Sequence, residues 1–555
     1  MEGNKIRETF VEFTENTSAH GCGQIPTAKF KLTKIFWGLT FLGCFTWATY
    51  STGNLIARYL SYPTKDVVSI DFSEIQFPAV TLCSLQPLTL SGMLNLQENP
   101  LPPDHPTSIL LYVMLNFKII IDKNIGGLGK RYQRQLSRIV SNQFIYENSD
   151  EKNTEGFIHD LRSFLLGCKY NSKTCDLEKL FITYQDGQFF NCFTFNSELL
   201  VPKAFIVEKT DPSSGLSLVI FVDALSSAPA HYTIYNPDDP TSGKMGVRAI
   251  IHSPGTRPMP FEKGFDIPTG FSTSVALQGS IRNLMSEPHG NCTTETLIPG
   301  TNYTYSSDTC VQECKQEKLI KECGCKSSLL TASADKPHVP YCGMFNMTNI
   351  LRQMHYPTDD EDITMAVRDL ERIECEGNIL RLFAYPAEIN KCACKEACSS
   401  MKYTKTISQS VWPNDNNQNI FYETYVNVTD HTLRPNILFK QQNITEIINN
   451  DLIHKNFLRL NIYFESLQVE TTSEVEDYPL SQLISDIGGN MGFYVGISVI
   501  TLLEFLSLTG TVLLYFFKDR LASCGQSKTT KVSQINIQHG DSKLDHYTDG
   551  FKDKY

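Results

Sequence analysis

The chain has 555 residues, 41% of them apolar and 20% charged, with 49 Lys and Arg against 60 Asp and Glu. That length and apolar content exclude a disordered tail protein, and the acidic balance argues against a nucleic acid as partner. The negative mean hydropathy excludes a transporter packed from many apolar helices.

Two stretches reach membrane length. Ile35 to Ile56 carry no charge over 22 positions, which at ~1.5 Å per residue crosses a ~30 Å hydrocarbon core. Lys29, Lys31 and Lys34 crowd its N-terminal side, and the residues before them hold Glu2, Glu8, Glu12 and Glu15 but no apolar run like a cleaved signal. Residues 1–34 are therefore expected in the cytoplasm and 35–57 as a first transmembrane helix. Near the other end, Glu504 is the single charge among the 31 residues from Ile487 to Phe517, and Lys518 and Arg520 follow at once. The positive-inside bias makes that end cytoplasmic too. The expected topology is a plasma-membrane protein in the lipid bilayer, with 58–480 extracellular, a second transmembrane helix over 481–517, and 518–555 cytoplasmic.

The segment between the spans has the marks of export. Sequons lie at Asn291, Asn302, Asn346, Asn427 and Asn443; Asn16, on the cytoplasmic side, is taken as a chance match. Cys22, Cys44 and Cys524 fall in the ends or the first span, which leaves 14 cysteines outside, an even number that permits seven disulfides. The dense clusters Cys323-Gly-Cys325 and Cys392-Ala-Cys394-Lys-Glu-Ala-Cys398 could ligate a metal, but an oxidising compartment and the lack of paired CxxC knuckles favour staples, so no metal is assigned.

Local patterns place several elements. Cys310 and Cys314 stand four apart in a helix-favouring stretch capped by Asp308 or Thr309, and so share one face. Cys392 and Cys394 share a face if their segment is extended, so a helix and a strand could be joined by two parallel rungs. The acidic run Asp359, Asp360, Glu361 and Asp362 reads as a solvated loop. Leu458, Leu460, Ile462 and Phe464 alternate with Arg459, Asn461, Tyr463 and Glu465, the pattern of a half-buried strand. A straight helix from Ile487 to Phe517 would be ~46 Å long, beyond the ~30 Å core, so it must tilt or break. Gly488, Gly489, Gly492, Gly496 and Gly510 offer places to break into a pore, or equally let helices approach closely. Glu504 must face water, a partner or the membrane interface.

Larger motifs resemble the degenerin/epithelial sodium channel family nearly end to end. They are His20-Gly21, Phe77-Pro78-Ala79-Val80-Thr81-Leu82-Cys83, Cys192-Phe-Thr-Phe-Asn196, Tyr305-Ser-Ser-Asp-Thr-Cys310, Tyr463-Phe-Glu465 and Asp486-Ile-Gly-Gly-Asn-Met-Gly492. The resemblance implies a membrane α+β fold: two transmembrane helices flanking a large, disulfide-rich, hand-shaped ectodomain with palm, finger, thumb, knuckle and β-ball, assembled as a homotrimeric channel. It implies permeant Na+, no cofactor and block by amiloride. The family's cysteine order implies the pairs Cys83 with Cys192, Cys168 with Cys175, Cys292 with Cys398, Cys310 with Cys394, Cys314 with Cys392, Cys323 with Cys375, and Cys325 with Cys342.

The family's Gly-x-Ser selectivity filter aligns with Gly496, Ile497 and Ser498, where glycine makes a helix break cheap and carbonyl rings supply cation ligands. Ile497 is a departure, since many relatives carry Ala or Ser, and it bears on the degree of selectivity for Na+ over K+. In a trimer Glu504 would form an inner carboxylate ring, less negative than in acid-sensing relatives because Ser507 replaces a further acid. The resemblance also assigns pore and gating roles to His20 and Gly21, in a re-entrant turn lining the lower pore, to Ser485, where a small side chain lets the pore close, and to Asp486 and Gly489 at the entry to the second span. On the residues alone Ser485 could instead be a helix N-cap.

The stimulus is read from departures. Acid-sensing relatives carry adjacent carboxylates where Gly255 and Thr256 stand here, beside Arg257, and such a pair is the physical route from mild acid to a binding event. His289 stands where those relatives place a tryptophan, and reads as a polar surface contact. The expected ligand is an extracellular short amidated neuropeptide; Ile109, Tyr112, Val113 and Phe117, in an apolar run, could line its groove or equally pack within the finger. Proton-gated or constitutively open channels of the same family remain alternatives. Two-span ATP-gated channels share the topology but fit the cysteine order and the Gly-x-Ser belt less well. A non-conducting cysteine-rich receptor and an ectoenzyme on two anchors are more remote; no HExxH, no GxSxG and no paired Cys/His motif supports catalysis.

Overall fold

The computed structural model describes residues 2–19, 21–72, 74–102, 105, 108, 135, 141–149, 154, 156–200, 204–207, 209–224, 243–298, 301–330, 338–345, 360–427, 439 and 443–524. The chain divides into two compact units, one formed by Thr64–Asp477 and the other by Met1–Pro63 with Tyr478–Tyr555.

The unit Thr64–Asp477 is built on two sheets. The strands of these two sheets, in chain order, are β1 (Thr64–Phe72), β2 (Ala79–Ser84), β3 (Leu165–Tyr170), β4 (Lys173–Thr174), β5 (Phe181–Asp186), β6 (Phe190–Phe195), β7 (Leu216–Phe221), β8 (Val247–His252), β9 (Phe265–Ile267), β10 (Phe271–Asn283), β11 (Ser399–Val411) and β12 (Phe457–Glu476). The first sheet runs β11-β10-β12-β7-β3-β4, with β1 added antiparallel along the C-terminal half of β12, and the second runs β9-β8-β2-β6-β5. The central pair β10 and β12 is parallel. The alternation in β12 is that of the sequence: Leu458, Leu460, Ile462 and Phe464 are buried, while Arg459, Asn461, Tyr463 and Glu465 are not. These four side chains join Leu216, Leu218 and Ile220 of β7, Val275 and Leu277 of β10, and Phe77, Phe193 and Phe195 in one core.

Two sequence motifs meet in the second sheet. Strand β2, from the Phe77–Cys83 motif, pairs antiparallel with β6, from the Cys192–Asn196 motif, with Cys83 opposite Cys192 in register and bonded to it. Just beyond β6, wholly buried Asn196 turns at φ +56°, donates to the Phe77 carbonyl at 2.6 Å and accepts from the Phe205 backbone N–H at 3.1 Å. A short polar side chain able to adopt this conformation, and to satisfy two buried backbone groups, fixes the corner between the motifs.

The cysteine-rich part packs helix α3 (Ser307–Cys323) against α4 (Asp360–Leu382), where α1 is Glu2–Asn16 and α2 Lys31–Leu60. Disulfides join Cys310 to Cys394, Cys314 to Cys392, Cys323 to Cys375, Cys325 to Cys342, Cys292 to Cys398 and Cys168 to Cys175. Three local expectations are corrected. The cap of α3 is Ser306, whose hydroxyl accepts from the Thr309 N–H, and not Asp308 or Thr309. Cys392 and Cys394 do not lie on a strand: they flank Ala393 in a turn at φ +51°, and the turn, not a pleat, presents both sulfurs to the helix face. Asp360, Glu361 and Asp362 form the first turn of α4, not a loop, as acids suit the positive end of a helix dipole; Asp359 lies outside the described residues.

In the second unit, α2 covers the charge-free stretch Ile35–Ile56 and α5 (Leu480–Val495) is followed by α6 (Val499–Cys524). Among the described residues no single helix is long and apolar enough to cross a membrane, but Leu480–Val495 with Val499–Leu514 meets that test as a pair bent by 76°. Asn490 on α5 donates to the Ser51 hydroxyl on α2 at 2.9 Å, a side-chain bond between two apolar helices.

Candidate pore and stimulus sites

The break in the last long helix falls at Gly496-Ile497-Ser498. Helix α5 ends on Gly496 in the left-handed region, φ +70°, where the Gly496 N–H reaches the Gly492 carbonyl at 3.0 Å and the Ile497 N–H reaches the Met491 carbonyl at 3.2 Å. This is a left-handed glycine C-cap, closed by a bond from its own N–H back to the carbonyl four residues before, and an L side chain at Gly496 would strain it. Ser498 then opens α6: its hydroxyl accepts from the Thr501 N–H at 3.3 Å, while its own N–H donates to Thr501 Oγ1 at 3.1 Å. One glycine stops a helix and the next polar residue starts another, so a 76° bend occupies three residues. Gly488, Gly489 and Gly510 lie inside the helices with no atom within 4 Å of an added Cβ, so they do not make the break.

Above the break, Ser485 is exposed within α5 with Gly489 one turn on, so it is not an N-cap; Pro479 holds that position. Asp486 accepts from the Tyr478 hydroxyl and from Gln482 Nε2, each at 2.7 Å, and the Arg58 guanidinium lies 4.8 Å from the Tyr478 ring centroid. Asp486 is thus held in a fixed orientation by its own helix and by Tyr478, two residues before that helix.

Below the break, Glu504 is met by the N-terminal segment. Its Oε2 accepts from Thr17 Oγ1 at 2.9 Å and from the Ser18 N–H at 3.0 Å, and the Ser18 hydroxyl also contacts Thr501 Oγ1. Phe13 on α1 packs on Phe505, with ring centroids 5.0 Å apart. Gly21 follows at φ +85°, near the Trp37 and Phe41 rings; His20 lies outside the described residues. Sequence reasoning had Glu504 as a pore acid but missed Thr17 and Ser18, whose closeness to the His-Gly pair was the available signal.

In the ectodomain unit Gly255 takes φ +80°, and a Cβ there would stand 2.5 Å from Thr304 Oγ1 and 2.9 Å from Glu198 Oε2. Thr256 donates to the Ser253 carbonyl at 2.6 Å and lies 3.0 Å from Nδ1 of His252, whose pKa burial pushes down to about 4, so that histidine is neutral. Arg257 is nearly buried and pairs with Glu313 on α3 at 3.1 Å. His289 Nε2 lies 3.7 Å from Glu476 Oε1, a part-buried contact of two polar groups. One acid that sequence reasoning missed is Asp186 at the end of β5: burial raises its pKa to about 6, although the N–H groups of Gln188 and Phe189 and the charge of Arg257 pull it down. Its only signal was an Asp three residues before the buried aromatic pair Phe189 and Phe190.

Asn291, Asn302, Asn427 and Asn443 are exposed, and Asn443 also caps a short helix; Asn346 lies outside the described residues. So do the candidate peptide-groove residues Ile109, Tyr112, Val113 and Phe117. Among the described residues no cluster of His, Cys, Asp and Glu suits a metal ion.

A disulfide-rich mixed α/β ectodomain unit and a glycine-broken helix pair that carries a single acid define the class, and sequence comparison names it. The family profile described as amiloride-sensitive sodium channel matches residues 13–508, and the chain belongs to that family. It is similar to the FMRFamide-activated amiloride-sensitive sodium channel of Cornu aspersum, 30% identical over 549 residues that cover 90% of this chain and 82% of that protein. It is 24% identical to acid-sensing ion channel 1 of Gallus gallus over 524 residues, 93% of this chain and 85% of that protein. Degenerin deg-1 of Caenorhabditis elegans is 27% identical over 362 residues, 64% of this chain and 40% of that protein. The chain is accordingly a sodium channel and not an enzyme; Na+ is its permeant ion, and the family uses no cofactor.

Proposed function

We propose that the chain forms a homotrimeric, sodium-selective, amiloride-blocked channel of the plasma membrane that an extracellular short amidated peptide opens. Residues 35–57 and 481–517 span the bilayer, 58–480 face outward, and 1–34 and 518–555 are cytoplasmic. The observation that carries the pore reading is the bend at Gly496-Ile497-Ser498, because freed backbone carbonyls at membrane depth are tolerated where they line a water-filled path. Glu504, tied on one oxygen by Thr17 and Ser18, then presents a fixed acid to cations below the filter. Peptide gating is supported by the similarity to the FMRFamide-activated channel and by the crowded, left-handed Gly255, which leaves no room for a carboxylate.

The test is whole-cell recording from cells expressing the chain alone, with short amidated peptides and acid applied separately and extracellular sodium exchanged for an impermeant cation. Sodium-dependent inward current evoked by peptide and blocked by amiloride is expected; large acid-evoked current with silence to every peptide would reverse the assignment of the stimulus. The proton alternative has one observation in its favour, the buried carboxyl of Asp186.

A further inference from the structure

Thr501, in the first turn of α6, is wholly buried, and its hydroxyl is where the Gly496-Ile497-Ser498 bend meets the N-terminal segment. Its Oγ1 accepts from the Ser498 N–H at 3.1 Å and lies 3.2 Å from the Ser498 hydroxyl, while its own N–H donates to Ser498 Oγ at 3.3 Å. On its other side Thr501 Oγ1 meets the hydroxyl of exposed Ser18. Among the described residues the Ser18 hydroxyl has one further partner, Oε2 of Glu504 at 3.4 Å, and that oxygen also takes the Ser18 N–H at 3.0 Å and the Thr17 hydroxyl at 2.9 Å. Three hydroxyls therefore stand in line from Ser498 through Thr501 to Ser18, joined across 483 positions of chain and ending on a carboxylate.

The chemistry of the groups sets the direction of the protons along that line. Each hydroxyl donates one proton and offers two lone pairs, whereas an ionised carboxylate only accepts. Were Ser18 to donate to Thr501 and Thr501 to Ser498, a lone pair of Ser18 would face the negative charge of Glu504. Ser498 Oγ, which already takes the Thr501 N–H, would then have both lone pairs occupied and its proton turned outward. In the opposite direction Ser498 donates to Thr501, Thr501 to Ser18 and Ser18 to Glu504. Every donor meets an acceptor, and each hydroxyl polarises the next toward the charge. Ser498 Oγ then keeps one lone pair free, and an oxygen held as an acceptor is a cation ligand where an outward proton repels.

We propose that Ser18 and Thr501 are positioning residues for cation selectivity: through them the charge of Glu504 orders the hydroxyl protons, so that Ser498 presents a lone pair to the permeant ion. This rests on Gly496-Ile497-Ser498 being the filter, and it gives the acid below the filter a second action, exerted through bonds, beside the attraction of its own charge. In a trimer, three oriented oxygens make a stronger field than three freely rotating hydroxyls, and a stronger field favours Na+ over the larger K+.

The test is the Na+ to K+ permeability ratio of the full-length channel, taken from reversal potentials on current evoked by any stimulus or present at rest. A loss of folding or of surface channels lowers the size of the current and leaves that ratio where it was. Ser18→Ala touches no bond of the filter, yet should lower the ratio about two- to fivefold, as the loss of one hydrogen bond implies. Thr501→Val should lower it at least as far, Thr501→Ser should keep the wild-type ratio, and Ser18→Ala added to Thr501→Val should change nothing more. On a Ser498→Ala background Thr501→Val should have no further effect, because the hydroxyl it orients is gone. A wild-type ratio in Ser18→Ala would overturn the proposal, as would a further fall from Thr501→Val without the Ser498 hydroxyl, or a Thr501→Ser channel as altered as Thr501→Val. If Thr501→Val does not reach the surface, Ser18→Ala decides alone. A wild type that passes no cation current overturns the pore reading and this proposal together, whereas a sodium-selective wild type matched by Ser18→Ala overturns this proposal and leaves the pore reading standing.

Discussion

Replacing Asp186 by Asn should stabilise the ectodomain, and only above mildly acidic pH. The carboxyl has a pKa raised to about 6 in the folded chain, against about 3.9 for an unfolded Asp, and at about 1.4 kcal/mol per unit the difference is about 3 kcal/mol. The sign follows from the direction: the folded state holds this proton more tightly, so its contribution is fully present below the unfolded pKa and is lost as pH rises through about 6. At neutral pH the ionised carboxylate is therefore a cost, offset only in part by Arg257. Asparagine keeps the acceptor oxygen, Oδ1, that takes the N–H groups of Gln188 at 2.9 Å and Phe189 at 3.1 Å. With ~2 cal/mol/K of unfolding entropy per residue over a unit of roughly 400 residues, the melting midpoint should rise by about 3–4 °C near pH 7.5. The gain should fall to about half near pH 5 and vanish below about pH 4. Thermal melting of the full-length protein across that range is the assay. A variant no more stable than wild type at neutral pH, or a gain that grows on acidification, would refute the reasoning.

Thr17→Val should loosen the N-terminal segment from Glu504 by about 1–2 kcal/mol, since a charge-assisted hydrogen bond is lost, and Thr17→Ser should restore it. A double-mutant cycle with Glu504→Gln, read on current-voltage relations, should be non-additive; additive effects would show that the two do not act together. Gly255→Asp should cost about 1–3 kcal/mol without creating acid gating, because its Cβ meets Thr304 and Glu198 in a left-handed backbone; melting and acid-evoked current check this. Ser485 replaced by a bulky residue should raise resting amiloride-sensitive current, because helices that converge on a small side chain cannot close over a large one, and unchanged resting current would count against that.

What the sequence made legible is what local rules control. The alternation of Leu458, Leu460, Ile462 and Phe464 needs only the two-residue period of a strand, and it matches the burial of β12. The charge-free run Ile35–Ile56 reads directly as helix α2. Five glycines could each have interrupted the last span, and composition does not choose among them; the choice falls on Gly496 because Ser498 and Thr501 supply a start for the next helix directly after it. What stayed hidden was assembled over long separations. Cys392 and Cys394 face α3 through a left-handed Ala393 that no periodicity announces. Glu504 meets residues 486 and 487 positions away in the chain, and Arg257 meets Glu313 across 56 positions.

The two sites that sequence reasoning left incomplete share one physical logic. At each, an acid that would be costly if left unpaired is satisfied by neutral donors: Glu504 by a hydroxyl and a backbone N–H from a distant segment, Asp186 by the N–H groups of Gln188 and Phe189 just after it. The difference between them decides their roles. Neutral donors leave the charge on Glu504 intact and orient it, which suits an acid meant to attract a passing cation. Burial instead raises the pKa of Asp186 to about 6, so its charge is withdrawn as the pH falls through that value. The same residue type is thus a charge held in place in one unit and a titrating group in the other, and the surroundings of each carboxylate set which.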